Sequence, residues 1–175
     1  MVVRDIRLLG DPVLTTPSAP VTRFDDRLRR LVDDLLETVD APGRAGLAAP
    51  QIGVGLRVFS YLVDDQHGYV VNPELVELSE ATQDGDEGCL SVPDVAAPLR
   101  RALRATVRGV DADGGPLVVH GEGLLARCFQ HEVDHLDGVL YLDRLEKGDR
   151  RRALRDAREQ PWFQAAPPRG GLLGR

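Results

Sequence analysis

Between residues 25 and 39, Leu28, Leu31, Val32, Leu35, Leu36 and Val39 recur at helical spacing while Asp and Arg side chains fill the opposite positions. A stripe on that period predicts an amphipathic helix with one face on a core. The run 40–46, with Pro42, Gly43 and Gly46, predicts its end and a loop. After it the period changes. Residues 57–62, 69–71, 75–78, 105–110 and 116–120 are short β-branched or alternating runs separated by turn residues, which predicts antiparallel strands. Asp113-Gly114, within the run 111–115, predicts a hairpin turn. From 123 to 136 the turn residues vanish, and Leu124, Leu125, Cys128 and Phe129 mark a mostly apolar helix that Gly138 is placed to end. This helix is predicted to be central and buried. A third is predicted over 149–159, with Asp149 as its N-cap and Pro161 barring extension. No internal repeat is visible, and short antiparallel strands around a central helix place the chain in the α+β class.

With 175 residues the chain is long enough for one domain with a sizeable core, expected over residues 1–165, followed by a mobile tail, 166–175, rich in Pro, Gly and Arg. Its 22 Lys and Arg against 28 Asp and Glu, a net charge of -6, speak against nonspecific attraction to nucleic acid or to an anionic membrane. Arg4, Asp5, Arg7 and Asp11 interrupt the first dozen residues, so no signal-peptide core forms there, and no later run is long enough to span a bilayer. The expected address is the cytoplasm. Cys89 and Cys128 allow at most one internal disulfide, poor ground for a secreted scaffold, which leaves metal binding or burial as their uses.

His131-Glu132-Val133-Asp134-His135 is an H-E-x-x-H motif. On a helix the i, i+4 spacing puts both imidazoles on one face, where they can share a metal ion. Glu132, about 100° further round, can reach a water beside that ion without being a ligand. The pentapeptide alone fits equally well a helix that carries two histidines near an ordinary carboxylate. A catalytic site needs a third protein ligand and an open position. The other histidines are His67, in a polar stretch, and His120, near a strand end, and the carboxylates are too numerous to discriminate. Cys128 shares the face of His131 and His135, but at ~1.5 Å per residue it stands about 10 Å along the axis from His135, too far for both to hold one ion. It reads as a small apolar filler beside the site. Cys89 lies in Glu87-Gly88-Cys89-Leu90-Ser91-Val92-Pro93, where Gly88 and Pro93 point to a shaped loop or strand edge. From the residues alone, a ligand and a buried structural cysteine are both open there, and Gln51 reads as a loop glutamine.

Gly46-Leu47-Ala48-Ala49-Pro50-Gln51, Glu87-Gly88-Cys89-Leu90-Ser91 and Gln130-His131-Glu132-Val133-Asp134-His135, in this order and at this spacing, resemble the three signature motifs of the peptide deformylase family. The likeness runs from Ile6-Arg7-Leu8-Leu9-Gly10-Asp11-Pro12 to Asp143-Arg144-Leu145, most of the chain. It implies a hydrolase that removes the formyl group from the N-terminal formyl-methionine of newly made polypeptides. It also implies one divalent ion on Cys89, His131 and His135, usually Fe(II) and replaceable by Zn(II), Ni(II) or Co(II). Glu132 would move protons, while the Gln51 amide and the Leu90 N–H would donate to the developing oxyanion. Gly46, with Ala48 and Ala49, would let substrate backbone run close in the manner of strand addition. A methionine pocket would lie near Leu124, Cys128 and His131. The implied partner is the formylated nascent peptide, with transient proximity to the ribosome.

Two departures from the family pattern concern the substrate side. The family usually has a glycine two residues before the one matching Gly46, where this chain has Arg44, with Gly43 one position further out. Related enzymes often carry arginine after the residue matching Pro93, where Ala96 and Ala97 stand here, with Arg100 and Arg101 further along. A deformylase-like hydrolase with altered substrate preference therefore stays open. A zincin-like peptidase shares H-E-x-x-H but draws its third ligand from a downstream His or Glu, so the cysteine in Glu87-Gly88-Cys89 favours the deformylase. A noncatalytic metal-stabilised module would need four protein ligands, and the chain offers three.

Overall fold

The computed structural model describes residues 3–165. The first expected helix is α1, Asp26–Val39. Asp25, in extended conformation, caps it by accepting the N–H groups of Arg27 and Leu28. Its apolar stripe joins Val21, Leu47, Ala49, Val58 and Val71 in one core cluster. The expected strands β2 (Val58–Val63), β3 (Gln66–Leu78), β8 (Arg104–Val110) and β9 (Pro116–Glu122) form an antiparallel sheet in that order, and an unexpected short strand, β1 (Gly46–Ala48), extends it beside β2. The turn at 111–115 joins β8 to β9, with Gly114 at φ 84°.

Two expected strands, 69–71 and 75–78, are parts of the single strand β3. Asn72, at φ 50°, and Pro73 lie between them, and the register with β8 shifts there. Proline has no N–H for the ladder, so the strand passes it as a bulge. The Asn72 amide is used instead: it accepts from the Val21 N–H at 2.7 Å and donates to the Val21 carbonyl at 2.9 Å. Four further strands were not expected either. β4 (Thr82–Gln83) pairs with β7 (Arg101–Ala102), and β5 (Asp86–Cys89) with β6 (Val92–Pro98).

The apolar helix is α2, Leu124–Leu136, buried at every residue from Leu125 onwards. One side packs on the sheet, where the Phe129 ring lies 6.0 Å from Phe59 and 5.3 Å, edge-on, from Tyr61. Gly138, at φ 73°, follows its cap as expected. The Leu136 carbonyl accepts from the Ser18 N–H and from Arg57, which also pairs with Asp137 at 2.7 Å. Sheet and helix backbone come close at Gly121 of β9, where a Cβ would stand 3.0 Å from the Ala126 backbone nitrogen and 2.9 Å from the Phe129 ring. Gly121→Ala should therefore lower stability by about 1–3 kcal/mol, the usual range for overpacking, seen as a lower urea midpoint with the fold kept.

After α3 (Tyr141–Arg144), the last expected helix is α4, Lys147–Glu159. It starts two residues earlier than its sequence signals, with Glu146 as N-cap and Asp149 in the first turn, paired with Arg152 at 2.9 Å. Pro161 does stop it, and then opens the short α5, Pro161–Gln164. Trp162 of α5 donates its indole N–H to the Pro93 carbonyl at 3.1 Å. The expected tail, 166–175, lies outside the described residues. Among the described residues, no helix is long and apolar enough to cross a membrane.

Candidate active site

α2 meets β5 at a cluster of three donors. The Cys89 sulfur and one nitrogen each of His131 and His135 lie within 4.8 Å of one another, with Sγ 3.2 Å from His135 Nε2. The helical i, i+4 spacing supplies the two imidazoles, and Cys89 arrives at the end of β5, where the register with β6 breaks between Gly88 and Cys89. Cys128 stays outside the cluster, as its axial distance requires, and its thiol donates to the Ala45 carbonyl at 3.2 Å. His67 sits on β3 opposite Leu62, and His120 on β9 bonds Thr106 at 3.0 Å, both elsewhere.

Glu132 is 2% exposed, and its Oε2 has no hydrogen-bond partner. Gly46 lies against it: a Cβ there would come 2.5 Å from Glu132 Oε1 and 2.6 Å from Cys128 Sγ, so this position has room only for glycine. Gln51 sits in a 3-10 turn, Ala49–Ile52. Its side-chain oxygen accepts the Ala48 N–H at 2.8 Å, which turns the NH2 towards Cys89 Sγ, 3.6 Å away, and Ser91 Oγ, 3.4 Å away. Leu90 follows Cys89 in the β5–β6 turn. A cleft of about 710 Å³ opens on these groups and is lined by Gly46, Gln51, Leu90, Leu124, Cys128 and Glu132, among others. A groove of about 670 Å³ beside α1 holds no such donor cluster among the described residues.

A buried charge network, not foreseen from the sequence, braces the cluster. Glu87 accepts His131 Nδ1 at 2.8 Å, both forks of Arg101 at 2.7 and 3.0 Å, and Arg127 at 2.9 Å. Arg101 continues to Asp134 at 2.8 Å, and Asp134 accepts Arg144 at 2.7 Å. Each partner comes from a distant part of the chain. The signals available were Arg127 and Asp134, charged residues in a mostly apolar helix. Of the two departures, Arg44 donates to the Thr38 carbonyl in the last turn of α1, while Ala96 lines the cleft and Ala97 is buried. Arg100 pairs with Asp84 on the surface, and Arg101 belongs to the network.

The electrostatics suit a cation. Burial works against the Glu87 carboxylate, but the His131 and Arg101 bonds hold it down at about 2. Burial likewise opposes the Cys89 thiolate, but His135 and His131 hold it well below the usual thiol range. Burial favours neutral His131, yet Cys89 and Glu87 raise it well above an ordinary imidazole. Burial carries Glu132 up to about 7 against the pull of the two histidines. Burial, with Glu132 and Glu87 nearby, keeps Cys128 a neutral thiol. The residues thus hold positive charge at the point where the three donors converge. A thiolate and two imidazoles at this spacing, with an unpartnered carboxylate oxygen beside them, fit a divalent ion in place of protons.

Residues 3–151 match the family described as polypeptide deformylase. The peptide deformylase of Acidothermus cellulolyticus is 60% identical over 163 residues, spanning 93% of this chain and 89% of its own length. That of Parafrankia sp. is 53% identical over 169 residues, spanning 96% and 92%. The crystal structure of a peptide deformylase from Legionella pneumophila, 38% identical, superimposes with a TM-score of 0.86 over 95% of this chain and 100% of that one. The chain therefore belongs to the peptide deformylase family of metalloenzymes, hydrolases that remove the formyl group from the N-terminal formyl-methionine of newly made polypeptides.

Proposed function

We propose that Cys89, His131 and His135 hold the metal ion of this deformylase, with Glu132 as its proton carrier and Gln51 and Leu90 as donors to the formyl oxygen. The supporting observation is the convergence of the three donors beside the buried Glu132 carboxylate, whose Oε2 has no partner. An ion bound there lowers the pKa of water towards 7 and polarises the formyl carbonyl. Glu132 takes a proton from the attacking water and delivers it to the leaving nitrogen. As charge grows on the formyl oxygen, the Gln51 NH2, already oriented by the Ala48 N–H, and the Leu90 N–H donate to it. β1 is an edge strand whose Gly46 lines the cleft, which suits an extended peptide added alongside. Leu124, Cys128 and His131 line the pocket for the methionine side chain.

The resident ion in this reading is Fe(II), with Zn(II), Ni(II) and Co(II) as substitutes, because a thiolate with two imidazoles accommodates all four. Iron, nickel and zinc forms of one protein batch should separate them. Hydrolysis of a formyl-methionyl peptide by the iron form should decay over hours in air and persist under nitrogen, since oxygen can reach both a redox-active ion and an oxidisable sulfur. The zinc and nickel forms should not decay. Equal decay in all three would sink the assignment of iron. A metal-replete sample, purified without oxygen and inert on the formyl peptide, would sink the deformylase reading itself.

Residues 1–165 form one catalytic domain in this reading. The enzyme works in the cytoplasm, in transient proximity to the ribosome where its substrate emerges. Exposed Lys147, Arg151, Arg155 and Arg158 of α4 give a basic face to an otherwise acidic chain, which favours that proximity without base-specific recognition.

A further inference from the structure

We propose that Arg127 widens the substrate range of this cleft to formylated peptides whose first side chain carries a neutral oxygen acceptor, methionine sulfoxide in particular. The proposal rests on the reading that the cleft receives the first side chain of a formylated peptide. Arg127 lines the cleft together with Leu124 and Cys128, one helical turn before His131. Its side chain is 9% exposed. Nη1 donates to Glu87 at 2.9 Å and to the Leu99 carbonyl at 2.8 Å, and Nη2 reaches the Gln83 carbonyl at 3.5 Å. A guanidinium carries five N–H groups. The donors left over after these three bonds meet no acceptor among the described residues.

A donor held at the cleft wall with an N–H to spare gains from any ligand oxygen that reaches it. The chemistry narrows what that oxygen is. Glu87, which pairs with Arg127, and Glu132 both line the same cleft, so an anionic side chain meets repulsion from two carboxyl groups. A neutral S=O oxygen does not. Methionine sulfoxide keeps the length of methionine, so its apolar part can lie against Leu124 and Cys128 while the oxygen takes the spare N–H. With only apolar walls the same pocket would bury an unpaired S=O and reject it.

The test uses three peptides that differ only in the first residue: formyl-methionine, formyl-methionine sulfoxide as each sulfur epimer, and formyl-norleucine. Their kcat/KM values are measured on the metal-loaded wild type, Arg127→Lys and Arg127→Leu, with metal content determined for each. In the wild type the better sulfoxide epimer should fall within about tenfold of norleucine, and Arg127→Leu should widen that gap by about tenfold or more, the scale of a bond from a charged donor. Arg127→Lys, which keeps a cationic donor, should lie between. A wild-type gap beyond about a hundredfold, more than such a bond leaves uncompensated, overturns the proposal. So does an unchanged gap in folded, metal-replete Arg127→Leu. If the leucine variant does not fold, the wild-type gap and the lysine variant decide. Normal turnover of formyl-methionine with either overturning result sinks this proposal alone, whereas no turnover of formyl-methionine sinks the reading beneath it as well.

Discussion

Glu132→Gln should keep its metal and lose turnover of a formyl-methionyl peptide by about 10²- to 10⁴-fold, the usual span for a general acid-base group. A residue that serves both proton transfers belongs at the upper end. The amide has the same shape, so it meets the same tight wall at Gly46 and disturbs little packing. What it removes is the ability to accept a proton at Oε2, the atom that has no partner in the protein. Elemental analysis and kcat on one preparation check this, with a melting curve to show that the fold persists. A metal-replete Glu132→Gln enzyme with near-normal turnover would move the proton work to another group.

Cys89→Ser should bind its ion far more weakly, by more than the roughly 10- to 100-fold typical of losing an outer partner of a ligand, because a neutral hydroxyl replaces a thiolate. Cys128→Ser should retain the ion. Its sulfur sits against the Ala45 carbonyl and Glu132, away from the three convergent donors. Competition with a chelator, followed for both variants, gives the two affinities. Equal loss from the two serines would remove Cys89 from the ligand set, while full retention in both would point to a ligand not among these residues.

The two long helices that frame the site are legible in the chain because one periodic stripe decides each of them. In α1 six apolar side chains share a face, and in α2 the absence of turn residues marks burial while H-E-x-x-H brings both imidazoles to one side. The strand that carries Cys89 is not legible in this way. β5 reads Asp86-Glu87-Gly88-Cys89, four residues with no apolar alternation, and its pairing with β6 is set by tertiary packing. β3 hides for another reason: Pro73 looks like a strand end, and only the bulge at Asn72 lets the ladder run past it. α4 begins at Lys147 although Asp149 is the better capping residue, since helical geometry extends back through Gly148 to Lys147, with Glu146 outside it as the N-cap at ψ 150°. The third donor therefore came from likeness to known motifs. No local rule foretells the Glu87, Arg101 and Asp134 contacts, because they join β5, β7 and α2, elements far apart in sequence.

That bracing also determines when the site takes shape. Cys89 and His135 are 46 positions apart, and closing a loop of that span carries an entropy penalty that must be met by something. In zinc fingers the ion meets it, so those chains are unfolded without metal. Here Arg101 ties the cysteine strand to the histidine helix through Glu87 and Asp134, using bonds formed wholly by protein atoms. With the proposed ligand set, an arriving ion would find its donors already assembled and would have no folding to drive. One ion could then leave and another enter while the chain stays folded, so the metal found in a purified sample would record what the surrounding solution offered, with no imprint of how the polypeptide came together.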